Sequence, residues 1–193
     1  MCLVSKEGRN LALAIMGGLL FGALTSGLSI DHVQLTLVFL QNNSVVYAGG
    51  YWQLLTSLLV APPSLAGVED VLFNALAVLW LDRLLSGVYS PTGYYATFVL
   101  TGLAGNLVSL LNGPAVSSFG ASGGIFGLLA GAVSEDYAAE RRINFGFLLW
   151  FLLIFIISSF LLSEVDWLAH LGGAISGLLA GYYLGVKQRE VQL

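Results

Sequence analysis

The chain has 193 residues, of which 57% are hydrophobic and only 9% charged, with a net charge of −4. Ordinary soluble domains carry roughly 25% charged residues, so this chain is written for an apolar solvent, with room for about six spans of ~20 residues. No stretch is long or polar enough for a separate soluble domain, no basic cluster suggests nucleic acid, and the single cysteine, Cys2, excludes an intrachain disulfide framework.

Lys6 and Arg9 precede an uninterrupted apolar run from Leu11 to Ile30. A secretory signal has a shorter apolar core of about 7–15 residues, so the length favours a retained first span. Residues 31–67 form a long connection that starts polar and becomes apolar, with Tyr51 and Trp52 as interfacial aromatics and Pro62-Pro63 forbidding a continuous helix. It reads as a loop embedded in the membrane interface; its most apolar piece, Leu54–Ala61, is too short to cross alone. A second span, 68–87, carries Asp70 and Asn74 in its first turns. A third, 91–111, starts at Pro91, where a missing N–H costs little, and ends at Asn112-Gly113-Pro114.

The fourth apolar run, 119–134, covers about 24 Å as a helix against a ~30 Å hydrocarbon core. It is expected to start below the membrane surface, with Val116–Gly120 dipping in to meet it. Irregular backbone survives at that depth only where protein or water covers it. The fifth span, 145–162, is nearly all large residues; the sixth, 167–186, carries Gly173, Gly177, Gly181 and Gly185 at four-residue spacing. Helices approach closely in lipid where small residues line the interface, so segments four and six should pack together and segment five should face lipid.

All seven Lys and Arg support one topology. Lys6 and Arg9 precede span one, Arg83 closes span two, Arg141 and Arg142 follow span four, and Lys187 and Arg189 follow span six. The positive-inside rule then gives six spans in a single membrane domain, 1–193, with both termini cytoplasmic. The starts of spans two, four and six share the external side, which gathers Asp70, Asn74, Ser122 and His170 in the outer half of the bilayer. His170 lies 17 residues, about 25 Å, above Lys187; Ser122 lies 13 residues, about 20 Å, above Glu135. Unequal tilts can close that gap.

Ser122 is hemmed in by Gly120, Gly123 and Gly124. It reads either as a polar filler in a tightly packed helix or as a nucleophile, since flanking glycines let a substrate backbone approach and leave N–H groups for an oxyanion. An ionisable residue inside a span costs roughly 2.5–3.5 kcal/mol, so His170 reads as an interhelical hydrogen-bond donor or as a catalyst. A neutral imidazole at matching depth can take the Ser122 proton and return it to a leaving amine. Glu164 and Asp166, the nearest carboxylates, belong to the surface end. Phe126, one turn after Ser122, either stacks on that imidazole or packs in the core. His32, beside Asp31 in a polar loop, reads as solvated. No ligand set calls for a metal, and no cofactor is expected.

Gly120-x-Ser122-Gly123 on a short fourth span, with Ala169-His170-x-x-Gly173-x-x-x-Gly177 on the sixth, resembles the rhomboid family of intramembrane serine proteases. Leu72-Phe73-Asn74 is similar to that family's helix bearing the oxyanion asparagine, and Trp52-Gln53-Leu54-Leu55-Thr56 resembles its Trp-Arg loop motif with Gln53 for the arginine. The resemblance implies an all-α, six-span bundle with a membrane-embedded loop after helix 1. It implies a Ser122–His170 dyad without an aspartate, Asn74 and the Ser122 backbone N–H at the oxyanion, and close packing at Gly120, Gly123, Gly173 and Gly177. The implied partners are transmembrane protein substrates in the lipid bilayer, cleaved near their outer ends, with a lateral gate near span five. The expected setting is the cell membrane of a prokaryote, as a multi-pass integral membrane protein with both termini cytoplasmic. Two alternatives stand beside the protease: a catalytically impaired relative that binds client helices, and a small transporter, against which the absence of an internal repeat counts.

A second position, besides Gln53, departs from the family pattern. The second span usually has a histidine four residues before the asparagine; here Asp70 stands there. Asp70 reads either as a charged, water-facing residue complementing the helix dipole, or as a protonated oxyanion donor. On the water-facing reading Asp70→Ala stays within a few-fold of the parent. The topology itself is open to test: Ser44→Cys and Arg142→Cys, each in a Cys2→Ser background, should react with an impermeant thiol reagent from opposite faces. Labelling of both from one face would reject it.

Overall fold

The computed structural model describes residues 4–85, 87–141, 144–161 and 165–192. Nearly all regular structure among them is helical. The chain divides into two compact units, Met1–Leu84 with Leu110–Ser122, and Leu85–Ser109 with Gly123–Leu193.

In the first unit, α1 (Lys6–Ser26) is capped by Ser5, whose side chain accepts from the Gly8 N–H at 3.0 Å. Ser5 is itself held by buried Asp82 of α5 (Leu65–Leu85), to which both its backbone N–H and its hydroxyl donate. The expected first span ran to Ile30. The helix instead stops at Ser26, because Ser29–Ile30 (β1) pairs antiparallel with Val33–Gln34 (β2). Asp31 and His32 both take positive φ, 50° and 67°, as a two-residue hairpin turn requires, and His32 is exposed.

The rest of the long connection is three short helices, α2 (Leu35–Phe39), α3 (Asn43–Tyr47) and α4 (Gln53–Thr56), with Gln41–Asn42 forming β3. α1 lies close against the chain that follows α4: a Cβ on Gly18 or Gly22 would collide with the carbonyl oxygens of Leu59 and Ala61. Thr36 ties α2 to the same helix through the Thr25 hydroxyl and the Gly22 carbonyl, both at 2.9 Å.

The second unit holds α6 (Pro91–Ser109), α7 from Gly123 onward (Ser122–Glu140), α8 (Phe145–Ile156) and α9 (Trp167–Gln192). A Cβ on Gly173, Gly177 or Gly181 would collide with the backbone carbonyl of Gly123, Gly127 or Gly131, and one on Gly185 would sit 2.5 Å from that of Glu135. The partner numbers differ by fifty throughout, so α7 and α9 run parallel and in one register. α6 joins the same cluster, its Gly105 against the Ala169 carbonyl and its Phe98 and Thr101 against Gly124 and Gly127. The sequence reading had not given α6 this role. α8 is bulky, with Leu149, Trp150, Leu152, Leu153 and Ile156 exposed, and continues as a π-helical turn over Ile157–Leu161.

Two expected boundaries change. The fourth apolar run was expected to be helical over 119–134, but α7 starts at Ser122 and reaches Glu140. Ser117–Ser118 (β4) pairs with β3, and Gly120 takes a φ of 120°, so the entry cannot be helical. At the other end Tyr137-Ala138-Ala139-Glu140 continues the helix past the apolar residues. α9 likewise runs on to Gln192 on good helix formers. Arg142 and Glu164 lie outside the described residues. Two described helical stretches, Lys6–Ser26 and Pro91–Asn112, are long and apolar enough to cross a membrane by length and composition.

The α7–α9 register predicts a steep position dependence. Gly177→Ala should destabilise the protein by about 1–3 kcal/mol in detergent unfolding, since the new methyl must displace backbone. Gly17→Ala, where a Cβ meets nothing within 4 Å, should be neutral or slightly stabilising. Equal effects at the two positions would contradict the packing.

Candidate active site

The entry to α7 is pinned by hydrogen bonds of the first unit. Gly120 donates its N–H to the Ser57 carbonyl at 2.9 Å, and Asn43 donates its side-chain Nδ2 to the Gly113 carbonyl at 2.9 Å and its backbone N–H to the Val116 carbonyl at 3.0 Å. Ser122, half-buried, then starts the helix. The first turn of any helix has N–H groups without intrahelical acceptors, and negative charge is favoured there.

Asp70 and Asn74 sit on the inward face of α5, four residues apart, while Leu72, Phe73 and Leu76 of the same turns are exposed. The Asn74 side chain, buried, is hydrogen-bonded to the Asp70 carboxyl. A Cβ on Gly120 would lie 2.6 Å from Asp70 Oδ1. The water-facing reading of Asp70 is therefore corrected: it is half-buried and turned toward the glycine that opens the α7 entry. The reason is helical geometry, which commits residues 70 and 74 to one face once Asn74 faces inward.

Trp52 and Gln53 of the loop motif serve the backbone. Gln53 is buried; its Oε1 accepts from the Asn42 N–H at 2.9 Å and its Nε2 donates to the Val38 carbonyl at 3.2 Å. The Trp52 indole donates to the same carbonyl at 2.9 Å, and the Thr56 hydroxyl to Phe39 at 2.7 Å. A neutral side chain with one acceptor and one donor end thus bridges two loop segments.

In the second unit His170 lies in the first turn of α9, which Asp166 caps by accepting from the Ala169 N–H at 3.2 Å. The Ser109 hydroxyl of α6 also donates to Asp166. The imidazole is buried, with the Phe126 ring 4.7 Å from it at 49° and the Phe155 ring at 6.4 Å. Phe126 also meets Phe155 edge-on at 5.2 Å, so it stacks on the histidine and packs in the core at once. His170 Nδ1 lies 2.8 Å from the hydroxyl of Ser159, a residue the sequence reading did not single out. Its only signal was Ser158-Ser159, a polar pair in an otherwise large apolar span.

These motifs sit in a recognised sequence context. The rhomboid-domain family model matches residues 48–187, which takes in every residue of the candidate site. The chain belongs to the rhomboid family. It is 34% identical over 147 residues to RHOMBOID-like protein 1 of Arabidopsis thaliana, covering 74% of this chain and 37% of that protein. Rhomboid protease GluP of Bacillus subtilis (strain 168) is 28% identical, over 77% of this chain and 29% of its own length. Rhomboid-like protease 3 of Toxoplasma gondii is 27% identical, over 68% of this chain and 51% of its own length. This rhomboid chain thus spans about a third to a half of the length of these three relatives.

The loop geometry yields its own prediction. Gln53→Ala strands the Asn42 N–H and weakens the Val38 bond, and should lower stability by about 1–3 kcal/mol in detergent unfolding. No loss would mean that the loop is held elsewhere.

Proposed function

We propose that this rhomboid is a six-span intramembrane serine endopeptidase that cleaves transmembrane segments of other membrane proteins, with both of its termini in the cytoplasm. Ser122 is the nucleophile and His170 the general base. The Asn74 side chain and the Ser122 N–H receive the oxyanion. The observation that carries this reading is the fixed register of α7 against α9. In that register Gly123, the residue after Ser122 in the chain, lies level with Gly173, three residues or about 4.5 Å along α9 from His170. The Phe126 ring against His170, one helical turn after Ser122, supports the same height.

The chemistry follows from the groups. Ser122 Oγ attacks the scissile carbonyl as its proton passes to the imidazole. The carbonyl oxygen becomes an oxyanion, and the imidazolium then protonates the departing amine. Water, activated by the same neutral imidazole, releases the acyl group. Ring packing against Phe126 helps to hold the base in place.

One observation favours a second reading, a weakly active relative that mainly binds client helices. The Asn74 amide is already bonded to Asp70, and an ionised carboxylate beside a developing oxyanion raises the barrier. An amide nitrogen has two donor hydrogens, so Asn74 can serve both Asp70 and an oxyanion. The hydrogen bond instead makes Asp70 a residue that orients Asn74.

Labelling by a fluorophosphonate probe and cleavage of a transmembrane substrate test the two readings. The parent should be labelled at Ser122, and Ser122→Ala and His170→Ala should each abolish cleavage, the double variant being little worse than either. Asn74→Ala should lose about 10²–10³ in kcat, and Asp70→Ala about 10-fold through the misoriented amide. Wild-type cleavage by Ser122→Ala would reject the nucleophile; an unlabelled, inactive parent would favour the binder.

A further inference from the structure

The Ser159 hydroxyl lies against the histidine ring, and the proposed chemistry has not used it. It lies in the π-helical turn Ile157–Leu161 at the end of α8, is buried, and has its Oγ 2.8 Å from His170 Nδ1. An α-helix adds one residue per 100°, and a π turn, which holds more residues, narrows that step and shifts where each side chain points. Single π turns interrupt helices mainly where a side chain is needed at a particular place. Here the widened turn occurs among exposed Ile156 and Ile157 and a buried serine. A buried hydroxyl in an apolar span costs free energy unless it is bonded, and the imidazole supplies the bond.

We infer that Ser159 is a positioning residue that accepts a hydrogen bond from His170 Nδ1–H and so keeps Nε2 as the basic nitrogen. This rests on the Ser122–His170 reading above. A neutral imidazole has one donor and one acceptor nitrogen, and which is which follows from the bond each makes. If Ser159 donated to Nδ1, the ring proton would sit on Nε2 and that nitrogen could not accept from Ser122. A serine oxygen can accept as readily as its O–H donates, and its own hydrogen is free to turn toward the Phe155 carbonyl side of the helix, as Ser158 does at 3.3 Å. When the ring takes a proton, both nitrogens become donors and only the accepting orientation survives. Ser159 thus does for this ring part of what a carboxylate does in a three-residue arrangement, without burying a charge in the membrane. The Phe126 and Phe155 rings fix the plane of the imidazole, and Ser159 fixes its rotation within that plane.

The test reads the tautomer directly. In His32→Gln protein with 15N-labelled histidine, the parent should give the Nδ1–H tautomer at a pH where the ring is neutral, and Ser159→Ala should give a mixture. With a transmembrane substrate, Ser159→Ala should lower kcat about 10–100-fold with KM unchanged, the range for a hydrogen bond to a group that becomes charged. Ser159→Thr should recover most of that loss and the isosteric Ser159→Val should not. An Nε2–H parent spectrum would overturn the inference without any variant, as would a Ser159→Ala spectrum identical to the parent's or equal rates for the Thr and Val variants. The parent's failure to label at Ser122 would remove the dyad and leave the tautomer measurement standing, so the two failures are distinguishable.

Discussion

The second unit depends on backbone meeting backbone between α7 and α9. Gly173, Gly177, Gly181 and Gly185 face the carbonyls of Gly123, Gly127, Gly131 and Glu135 with no room for a side chain. In lipid there is no hydrophobic gain in bringing two apolar helices together, so the attraction must come from close van der Waals contact along a small-residue seam. A seam with a four-residue repeat on both helices also fixes their register. A one-turn slip would set glycines against glycines again, but the ends resist it. His170 lies one turn before Gly173 with its ring against Phe126, and α6 closes the same seam with Gly105 against Ala169. The height of the histidine is thus a consequence of packing, and its chemistry follows from that height.

The first unit solves a different problem, that of holding irregular chain without exposing backbone groups. Gln53, Trp52 and Thr56 satisfy carbonyls at residues 38 and 39, and β3 pairs with β4 just before Ser122. Non-helical backbone at membrane depth persists only where such partners cover it. Gln53 achieves this as a neutral group where the family motif has an arginine, which spares the loop a charge. Asp70 places a carboxyl group near Gly120, and Asn74 answers it with a hydrogen bond. In this chain the departure at position 70 therefore reaches Asn74 itself.

Much of the site was legible because membrane chains are compositionally plain. Against so apolar a background a histidine and a glycine-flanked serine stand out as candidates, while Asn74 was singled out by the resemblance of Leu72-Phe73-Asn74 to the family's second helix. Glycine spacing was enough to pair α7 with α9. Ser159 was not legible, since a serine within a span is ordinary and only the π turn aims it at the ring. Asp70 was misread for a related reason: a carboxylate near a helix start looks wet until the chain folded over it is known. The boundaries at Ser26 and Ser122 were missed because short strand pairs, not apolar content, end those runs.

The sequence by itself determined the solvent, the helical class, the family and the residues able to do chemistry, because composition and local spacing are properties of the chain. Tertiary structure decided how those residues are held: the offset of fifty between two helices, the α6 contacts that complete their seam, the carboxylate facing Gly120 and the hydroxyl facing the imidazole. Each of these joins residues far apart in sequence, and such contacts depend on which backbones can approach closely enough, which no local pattern encodes.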